Sequence, residues 1–159
     1  MDCFKFCNCS CNDTDANFDR ILSTETNFGF SLSQISKSNI GWFTDETIAA
    51  HQLKLWSIGQ QSGIYMLWLK KEYCAQHDRY HMTCLYVGKG YVSSRLRSHW
   101  KKKDFSDEML VYFSYFPCTN RQAKYIEQLF LDLYNLPLNK AENDGESVLC
   151  QHWTQWDVD

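Results

Sequence analysis

The chain has little of what marks several protein classes. Only two Pro and seven Gly occur in 159 residues, which excludes collagen-like and linker-rich architectures. No apolar run approaches the roughly 18 to 20 residues of a membrane-spanning helix, and the N-terminus lacks the basic start and apolar block of a signal peptide. Charged residues make up only 22% of the chain, which argues against general disorder. These absences predict a soluble, cytoplasmic protein with no membrane partner.

Apolar and aromatic residues are abundant instead. They account for 44% and 16% of the chain, with six Trp, nine Tyr and ten Phe, which is enough apolar surface to offset the chain entropy lost on folding. The length predicts one domain with a small appendage. We divide it into an N-terminal extension over residues 1–60 with a flexible Cys-rich leader and one helix, a core over 61–145, and a C-terminal tail over 146–159.

The eight cysteines are too sparse for a disulfide-stapled scaffold, so we expect reduced thiols. Four of them form a Cys-x3-Cys-x-Cys-x-Cys cluster at Cys3, Cys7, Cys9 and Cys11. This cluster is either a zinc site, which would suit a cysteine-based metal or redox protein, or a tail without structural consequence. Its spacing differs from the paired C-x2-4-C knuckles of structural zinc sites and favours the tail.

The charge distribution is uneven along the chain. The net charge of −3 argues mildly against a protein that coats nucleic acid. Between positions 89 and 103, however, there is no acidic residue. The basic residues of this stripe are Lys89, Arg95, Arg97, Lys101, Lys102 and Lys103, with His99 among them. A locally basic stripe on an acidic body suits an enzyme that grips a polyanion at one place.

The first half of the chain gives three clear structural signals. Residues 1 to about 30 are polar without an apolar period, which predicts a loosely structured leader. Thr44 is placed as the N-cap of a helix over about 45–57. The apolar runs 63–69 and 83–87 predict two strands that pair as an antiparallel hairpin.

The second half alternates helix and strand. We expect a long, polar, exposed hairpin connection over about 72–82, a basic amphipathic helix over 92–103, and a strand over 109–116 that is buried on both faces. Thr119 and Gln122 form a capping box that opens the strongest predicted helix. The elements predict an α/β fold, an α+β sandwich with a small three-stranded mixed sheet flanked by helices and an N-terminal helical extension.

A constellation of short motifs lies on these elements. Gly63-Ile64-Tyr65 begins one predicted strand and Tyr86-Val87-Gly88 ends the next, while Arg95 and Glu127 follow on two helices. This order resembles the GIY-YIG nuclease family, which includes homing endonucleases, certain type II restriction enzymes and an excinuclease of DNA repair. The resemblance covers about residues 62 to 143.

Further motifs accompany the resemblance. They are Arg95-Leu96-x-x-His99 and Pro137-Leu138-Asn139. The sequence also departs from the commonest family pattern: its two tyrosines are more widely separated than in simple members, and Arg95 comes one position early. Arg97 therefore competes with Arg95, which we prefer because His99, four residues later, shares its helix face.

The resemblance implies a catalytic set of Tyr65, Tyr86, Arg95, His99 and Glu127. Glu127 is expected to bind Mg²⁺ or Mn²⁺, as a hard oxygen ligand. Arg95 is expected to offer its guanidinium fork to the phosphate. Tyr65 is implied to act as general base or to orient the water, with His99 as the candidate for taking the proton of Tyr65. Tyr86 is implied to bind phosphate or to complete the hydrogen-bond network.

Several residues carry weaker expectations. The expected substrate-binding residues are Lys89, Arg97, Lys101, Lys102 and Asn139. Asn139 alternatively anchors the Glu127 helix or the active-site loop. Glu127 could also be a solvated helix residue, Tyr65 a packing residue, and the lysine run a solvated helix end. Trp153 and Trp156 could stack on bases, although packing against the core is favoured.

We therefore expect a divalent-metal-dependent endonuclease that hydrolyses DNA with one metal ion and no covalent intermediate, of restriction type or toxin/effector type. A homodimer would supply the two active sites needed to cut both strands. The alternative is a catalytically silent nucleic-acid-binding module that uses the same basic surface.

Overall fold

The computed structural model describes residues 11–43, 61–75, 78–92, 94–96, 98 and 110–158. Its helices are α1 (Cys11–Glu25), α2 (Leu32–Ser36), α3 (Asn120–Leu133) and α4 (Gln155–Val158). Its strands are β1 (Gly41–Phe43), β2 (Ser62–Cys74), β3 (Arg79–Tyr91), β4 (Val111–Pro117) and β5 (Cys150–Trp153). Residues 92, 94–96 and 98 are also helical. The helix predicted over 45–57 and most of the one over 92–103 lie outside the described residues.

The strands form one five-stranded sheet in the order β1-β4-β2-β3-β5. Every neighbouring pair in it is antiparallel. The predicted mixture of helices and sheet is confirmed, but the small three-stranded mixed sheet is wrong. The two additional strands are the edge strands β1 and β5, of three and four residues, which are too short to show a clear alternation of apolar and polar residues.

β2 and β3 form a long hairpin of 13 residues each. The long connection expected over 72–82 is therefore wrong, because Tyr73 pairs with Tyr80 and Cys74 pairs with Arg79. Exposed polar residues such as Lys71 and Glu72 continue the strand. Polar residues indicate an exposed segment, but they do not distinguish a loop from a strand that extends beyond the main core.

α1 and α3 pack together on one face of the sheet. The rings of Phe18 in α1 and Phe130 in α3 lie 4.6 Å apart, and Leu22 is also buried. The loosely structured leader is therefore wrong over Cys11–Glu25. Phe18 and Leu22, four residues apart, give this polar segment an apolar stripe, and burying each such side chain contributes about 1.5–3 kcal/mol.

α3 follows its sequence signals closely. Thr119 and Gln122 form the expected capping box. Ala123, Ile126 and Phe130 are buried against the sheet. The helix therefore has a defined start and a defined buried face, which together fix the direction in which each of its side chains points.

Two tryptophans lie in the centre of this core. Trp68 and Trp153 are fully buried with ring centroids 5.5 Å apart, and Trp68 Nε1 donates a hydrogen bond of 2.9 Å to Ser114 Oγ. Packing of Trp153 is confirmed, whereas packing of Trp156 is wrong because this side chain is 92% exposed. Residues 150–153 form β5 of the sheet. They therefore do not belong to a tail, as had been expected for residues 146–159.

The opposite face of the sheet carries a second apolar cluster. It contains Tyr65, Leu67, Val111, Phe113 and Tyr115, together with Val92 and Leu96 from the helical residues after β3. β4 therefore has buried side chains on both faces from Val111 to Tyr115, as predicted for this strand. The strand itself is confirmed over Val111–Pro117.

Two further observations concern membrane-spanning helices and the state of the cysteines. Within the described part of the chain, no helix is long and apolar enough to cross a lipid bilayer. Cys74, Cys84, Cys118 and Cys150 carry thiols that are not joined in disulfides.

A buried carboxyl group links α1 to β5. Asp15 Oδ2 accepts a hydrogen bond of 2.8 Å from Gln151 Nε2. Asp15 Oδ1 is buried and has no hydrogen-bond partner among the residues that the structure describes. Burial is the main cause that raises the pKa of Asp15 to about 7; the hydrogen bond from Gln151 opposes this rise, and the nearby charge of Asp19 adds to it.

We predict that this carboxyl group makes the protein less stable as the pH rises. Because the folded-state pKa is about 7 and the ordinary value is 3.8, the folded state retains a proton that the unfolded state has lost. The stabilisation is complete below about pH 4 and is lost as the pH rises through 7, at a cost of roughly 2 kcal/mol after allowing for solvent screening. Urea unfolding of Asp15→Asn at several pH values should show a flatter dependence.

Asp144→Asn is the matched control, because this carboxylate is exposed. Its stability should follow the pH dependence of the unmodified chain. An identical dependence in Asp15→Asn and the unmodified chain would contradict the prediction.

Candidate active site

The candidate site lies at the outer edge of β3 where β5 stops. β5 pairs only with residues 80–83 of β3. Beyond that point the connection between α3 and β5 covers the edge, and Leu138 N donates a hydrogen bond of 2.9 Å to Leu85 O. Tyr65 pairs with Gly88 across β2 and β3 at the same level. Both tripeptides singled out in the sequence therefore meet at one end of the sheet.

Tyr65 and Tyr86 form the centre of the site. Their rings are stacked with centroids 5.9 Å apart and an angle of 26° between the planes. Burial raises the pKa of both phenols, and a hydrogen bond between them raises the pKa of Tyr65 and lowers that of Tyr86. The two phenol hydroxyls therefore share one hydrogen bond. Tyr65 therefore keeps its proton throughout the physiological pH range.

Gly88 makes room for this pair. A Cβ atom at this position would lie 2.5 Å from the hydroxyl oxygen of Tyr65 and 2.7 Å from Cε1 of Tyr86. Any other residue would push the two phenols away from the strand. The glycine of the second tripeptide is thus required by the close approach of a side chain to the backbone.

Arg95 reaches the same end of β3. Gly90 has a φ of +122°, and a Cβ atom there would lie 3.3 Å from Nε of Arg95. Arg95 is exposed, and its positive charge lowers the pKa of Tyr65, Tyr86 and Glu127. The guanidinium therefore faces the tyrosine pair and the carboxylate together.

Glu127 is half-buried at the border of the buried face of α3. Partial burial is the main cause that raises its pKa, and the charge of Glu142 raises it further, whereas Lys89 and Arg95 lower it. Glu127, Tyr86 and Glu142 also line a pocket of about 400 Å³. The charges of Lys89 and Arg95 thus act on Glu127, and those of Arg95 and Glu127 act on the Tyr65–Tyr86 pair.

Glu142 is a site residue that the sequence did not reveal. It lies in the irregular connection after α3, with a φ of +54°, and belongs to no motif or periodic pattern. A carboxylate in a coil gives no signal in one sequence, because its position depends on how the connection folds back on β3.

Asn139 holds that connection in place. Its side-chain oxygen accepts a hydrogen bond of 3.0 Å from Val87 N, and its amide nitrogen donates one of 3.0 Å to Val87 O. Asn143 forms the same type of clamp on Leu136, at 3.1 and 2.9 Å. These contacts favour the anchoring role for Asn139 over the substrate-binding role.

The carboxylates at the pocket fit a hydrated divalent cation. Among the described residues, no three His, Cys, Asp or Glu side chains lie close enough to form a closed metal site. Glu127 and Glu142 are the two carboxylates that line the pocket in the described part of the chain. Mg²⁺ commonly uses one or two protein carboxylates together with waters and substrate phosphates. The donor set therefore suits Mg²⁺ or Mn²⁺ and does not suit structural zinc.

Several predicted site residues lie outside the described part of the chain. These are His99, Arg97, Lys101 and Lys102, and the proposed zinc ligands Cys3, Cys7 and Cys9. Cys11 begins α1. Their expected roles stay predictions.

Comparison of the chain with family profiles, with characterised proteins and with solved structures finds no match. The motifs and the geometry of the site are therefore the basis for a functional proposal.

We predict that Asn139→Ala lowers the free energy of unfolding by about 2 kcal/mol. The substitution leaves both polar groups of Val87 without their partner, and an unsatisfied buried group costs about 1–3 kcal/mol. Chemical denaturation measures the change. Asn120→Ala, at an exposed position in the first turn of α3, is the matched control, and equal losses in both variants would contradict the clamp.

Proposed function

We propose that the protein is a divalent-metal-dependent endonuclease that hydrolyses phosphodiester bonds of DNA, similar to GIY-YIG nucleases. The observation that carries the proposal is the convergence of Tyr65, Tyr86, Arg95 and Glu127. These residues come from β2, β3, the helical residues after β3, and α3, yet the charges of Arg95 and Glu127 both act on the tyrosine pair. The motif order and this convergence support the same reaction.

The cations of the site suit a phosphate group. Hydrolysis of a phosphodiester needs compensation of the negative charge that grows on the non-bridging oxygens. Arg95 supplies a permanently charged, planar donor fork at the exposed mouth of the site. Lys89 adds a second positive charge next to Glu127. Both residues would bind the scissile phosphate and stabilise the additional negative charge that its oxygens carry in the transition state of hydrolysis.

The tyrosine pair suits the positioning of water more than the removal of a proton. Because burial raises the pKa of Tyr65, this phenol stays protonated and is a poor base near neutral pH. Tyr86 lines the pocket, where its hydroxyl would donate to a water or a phosphate oxygen. The pair would therefore orient the attacking water. The sequence-based expectation was that His99 takes the proton of Tyr65; because Tyr65 keeps that proton, His99 would instead take the proton of the attacking water.

Glu127, with Glu142 beside it, would hold the Mg²⁺ or Mn²⁺ ion. When bound, the ion supplies Lewis-acid compensation of phosphate charge and makes a bound water more acidic. Desolvation of Glu127 strengthens its attraction for a cation. A homodimer of restriction or toxin/effector type, acting in the cytoplasm, is part of the proposal.

We expect the full-length chain to nick plasmid DNA in the presence of Mg²⁺, and Glu127→Gln to reduce the rate about 10²- to 10³-fold. The amide keeps the size of the side chain but removes the charge that attracts the cation. Gel analysis of the plasmid forms over time measures the rate. Glu146→Gln, an exposed residue of the same connection, should retain the rate.

Three outcomes would count against this proposal. DNA binding without cleavage by the unmodified chain would support the silent binding module instead. Full activity of Glu127→Gln would remove the carboxylate from the mechanism. Equal losses in Glu127→Gln and Glu146→Gln would point to a general effect of charge.

We also expect Tyr65→Phe to reduce cleavage about 10²-fold at saturating DNA. The ring stays in the core while the Tyr86 hydroxyl loses its hydrogen-bond partner. Tyr115→Phe is the matched control because Tyr115 is a buried tyrosine of the same apolar cluster. Single-turnover rates for both variants check this expectation, and similar rates in the two would refute it.

A further inference from the structure

A second hollow adjoins the candidate active site along α3. It has a volume of about 550 Å³ and lies between residues 25–28 and the first half of α3. Gln128 lines both this hollow and the pocket that contains Glu127. The two hollows are therefore neighbours along α3, with the Gln128 side chain on the border between them.

Two cations lie on the wall of the second hollow. Arg121 and Lys124 are exposed and line it, and together with Gln128 they follow the spacing of one helix face. At a rise of 1.5 Å per residue, Lys124 and Arg121 lie about 4.5 and 9 Å from Glu127 along the axis of α3. One strand of B-DNA carries a phosphate about every 3.4 Å along the duplex axis. A strand that follows α3 from Glu127 therefore passes both cations.

The opposite wall is ordered and includes an aromatic contact. The Phe28 ring meets the Tyr125 ring edge-on with centroids 5.9 Å apart. Thr26 Oγ1 donates a hydrogen bond of 2.6 Å to Leu22 O, and Phe28 N donates one of 3.3 Å to Thr26 Oγ1. Glu25 is the carboxylate among the described lining residues, and the two cations outnumber it.

We propose that this hollow binds the sugar–phosphate backbone of the DNA strand next to the scissile bond, with Arg121 and Lys124 each contacting one phosphate. This inference rests on the proposed function, because it assumes that the polyanion held at Glu127 is DNA. It adds a surface on α3 to the basic residues at 89–103.

The salt dependence of DNA binding tests the inference. Fluorescence anisotropy of a labelled duplex, with the full-length chain in EDTA to prevent cleavage, gives the dissociation constant at several salt concentrations. Each phosphate contact contributes about 0.9 to the slope of log affinity against log salt. We expect Arg121→Gln/Lys124→Gln to reduce the magnitude of this slope by about 1.8.

The control variant is Lys71→Gln/Arg79→Gln. These residues are exposed at the far end of the β2–β3 hairpin, and their substitution changes the net charge by the same amount. The control should keep the slope of the unmodified chain. Thermal unfolding should show that both double variants remain folded.

The outcomes separate the inference from the proposed function. An unchanged slope for Arg121→Gln/Lys124→Gln, equal losses in both double variants, or no DNA binding by the unmodified chain would overturn the inference. If the unmodified chain nicks plasmid DNA but the slope is unchanged in Arg121→Gln/Lys124→Gln, the proposed nuclease activity is supported and only the DNA contacts of Arg121 and Lys124 are wrong. If the magnitude of the slope falls by about 1.8 in this variant but the unmodified chain does not nick plasmid DNA, the DNA-binding surface is supported and the proposed nuclease activity is wrong.

Discussion

The close contact between the Tyr65 phenol and the backbone of Gly88 is the constraint on which the site depends. A buried hydroxyl needs a hydrogen-bond partner, and Tyr86 provides it two residues before Gly88. This contact is possible only when Tyr65 lies opposite Gly88 in the hairpin. The same register carries β3 onward to Gly90, over which Arg95 lies. The pairing of two strands thus places two phenols and a guanidinium group at one end of the sheet.

The position of the fourth group, Glu127, depends on the packing of α3, and the pocket beside it depends on the side-chain amides of Asn139 and Asn143. The capping box and the buried stripe of α3 fix where this helix lies, and Glu127 falls at the border between the core and the pocket. Asn143 fixes the fold of the connection after α3, and Asn139 fixes that connection to Val87. Side chains outside any helix or strand therefore position this wall of the pocket through hydrogen bonds to the main chain.

The sequence predicted best where one physical signal dominated. The capping box and apolar stripe indicated α3, and the apolar runs indicated the three central strands. It failed where the deciding contact was distant. α1 is helical because Phe18 and Leu22 meet the core, and residues 72–74 and 79–82 extend the hairpin because the two strands pair with each other. Exposure of Trp156 could not be read from its residue type, since an aromatic ring on a terminal helix can face either way.

The sequence alone determined which residue types the site contains and in which order they follow along the chain. This is possible because the ability of a carboxylate to bind a hard cation, of a guanidinium to bind phosphate and of a phenol to form hydrogen bonds depends on the residue type. Only the tertiary structure decided which of them share one environment, that the hydroxyls of Tyr65 and Tyr86 are hydrogen-bonded to each other, that Glu142 lines the same pocket as Glu127, and that Asn139 anchors the connection after α3. Those outcomes depend on strand register, helix docking and a folded-back connection. Each of these is set by contacts between residues far apart along the chain.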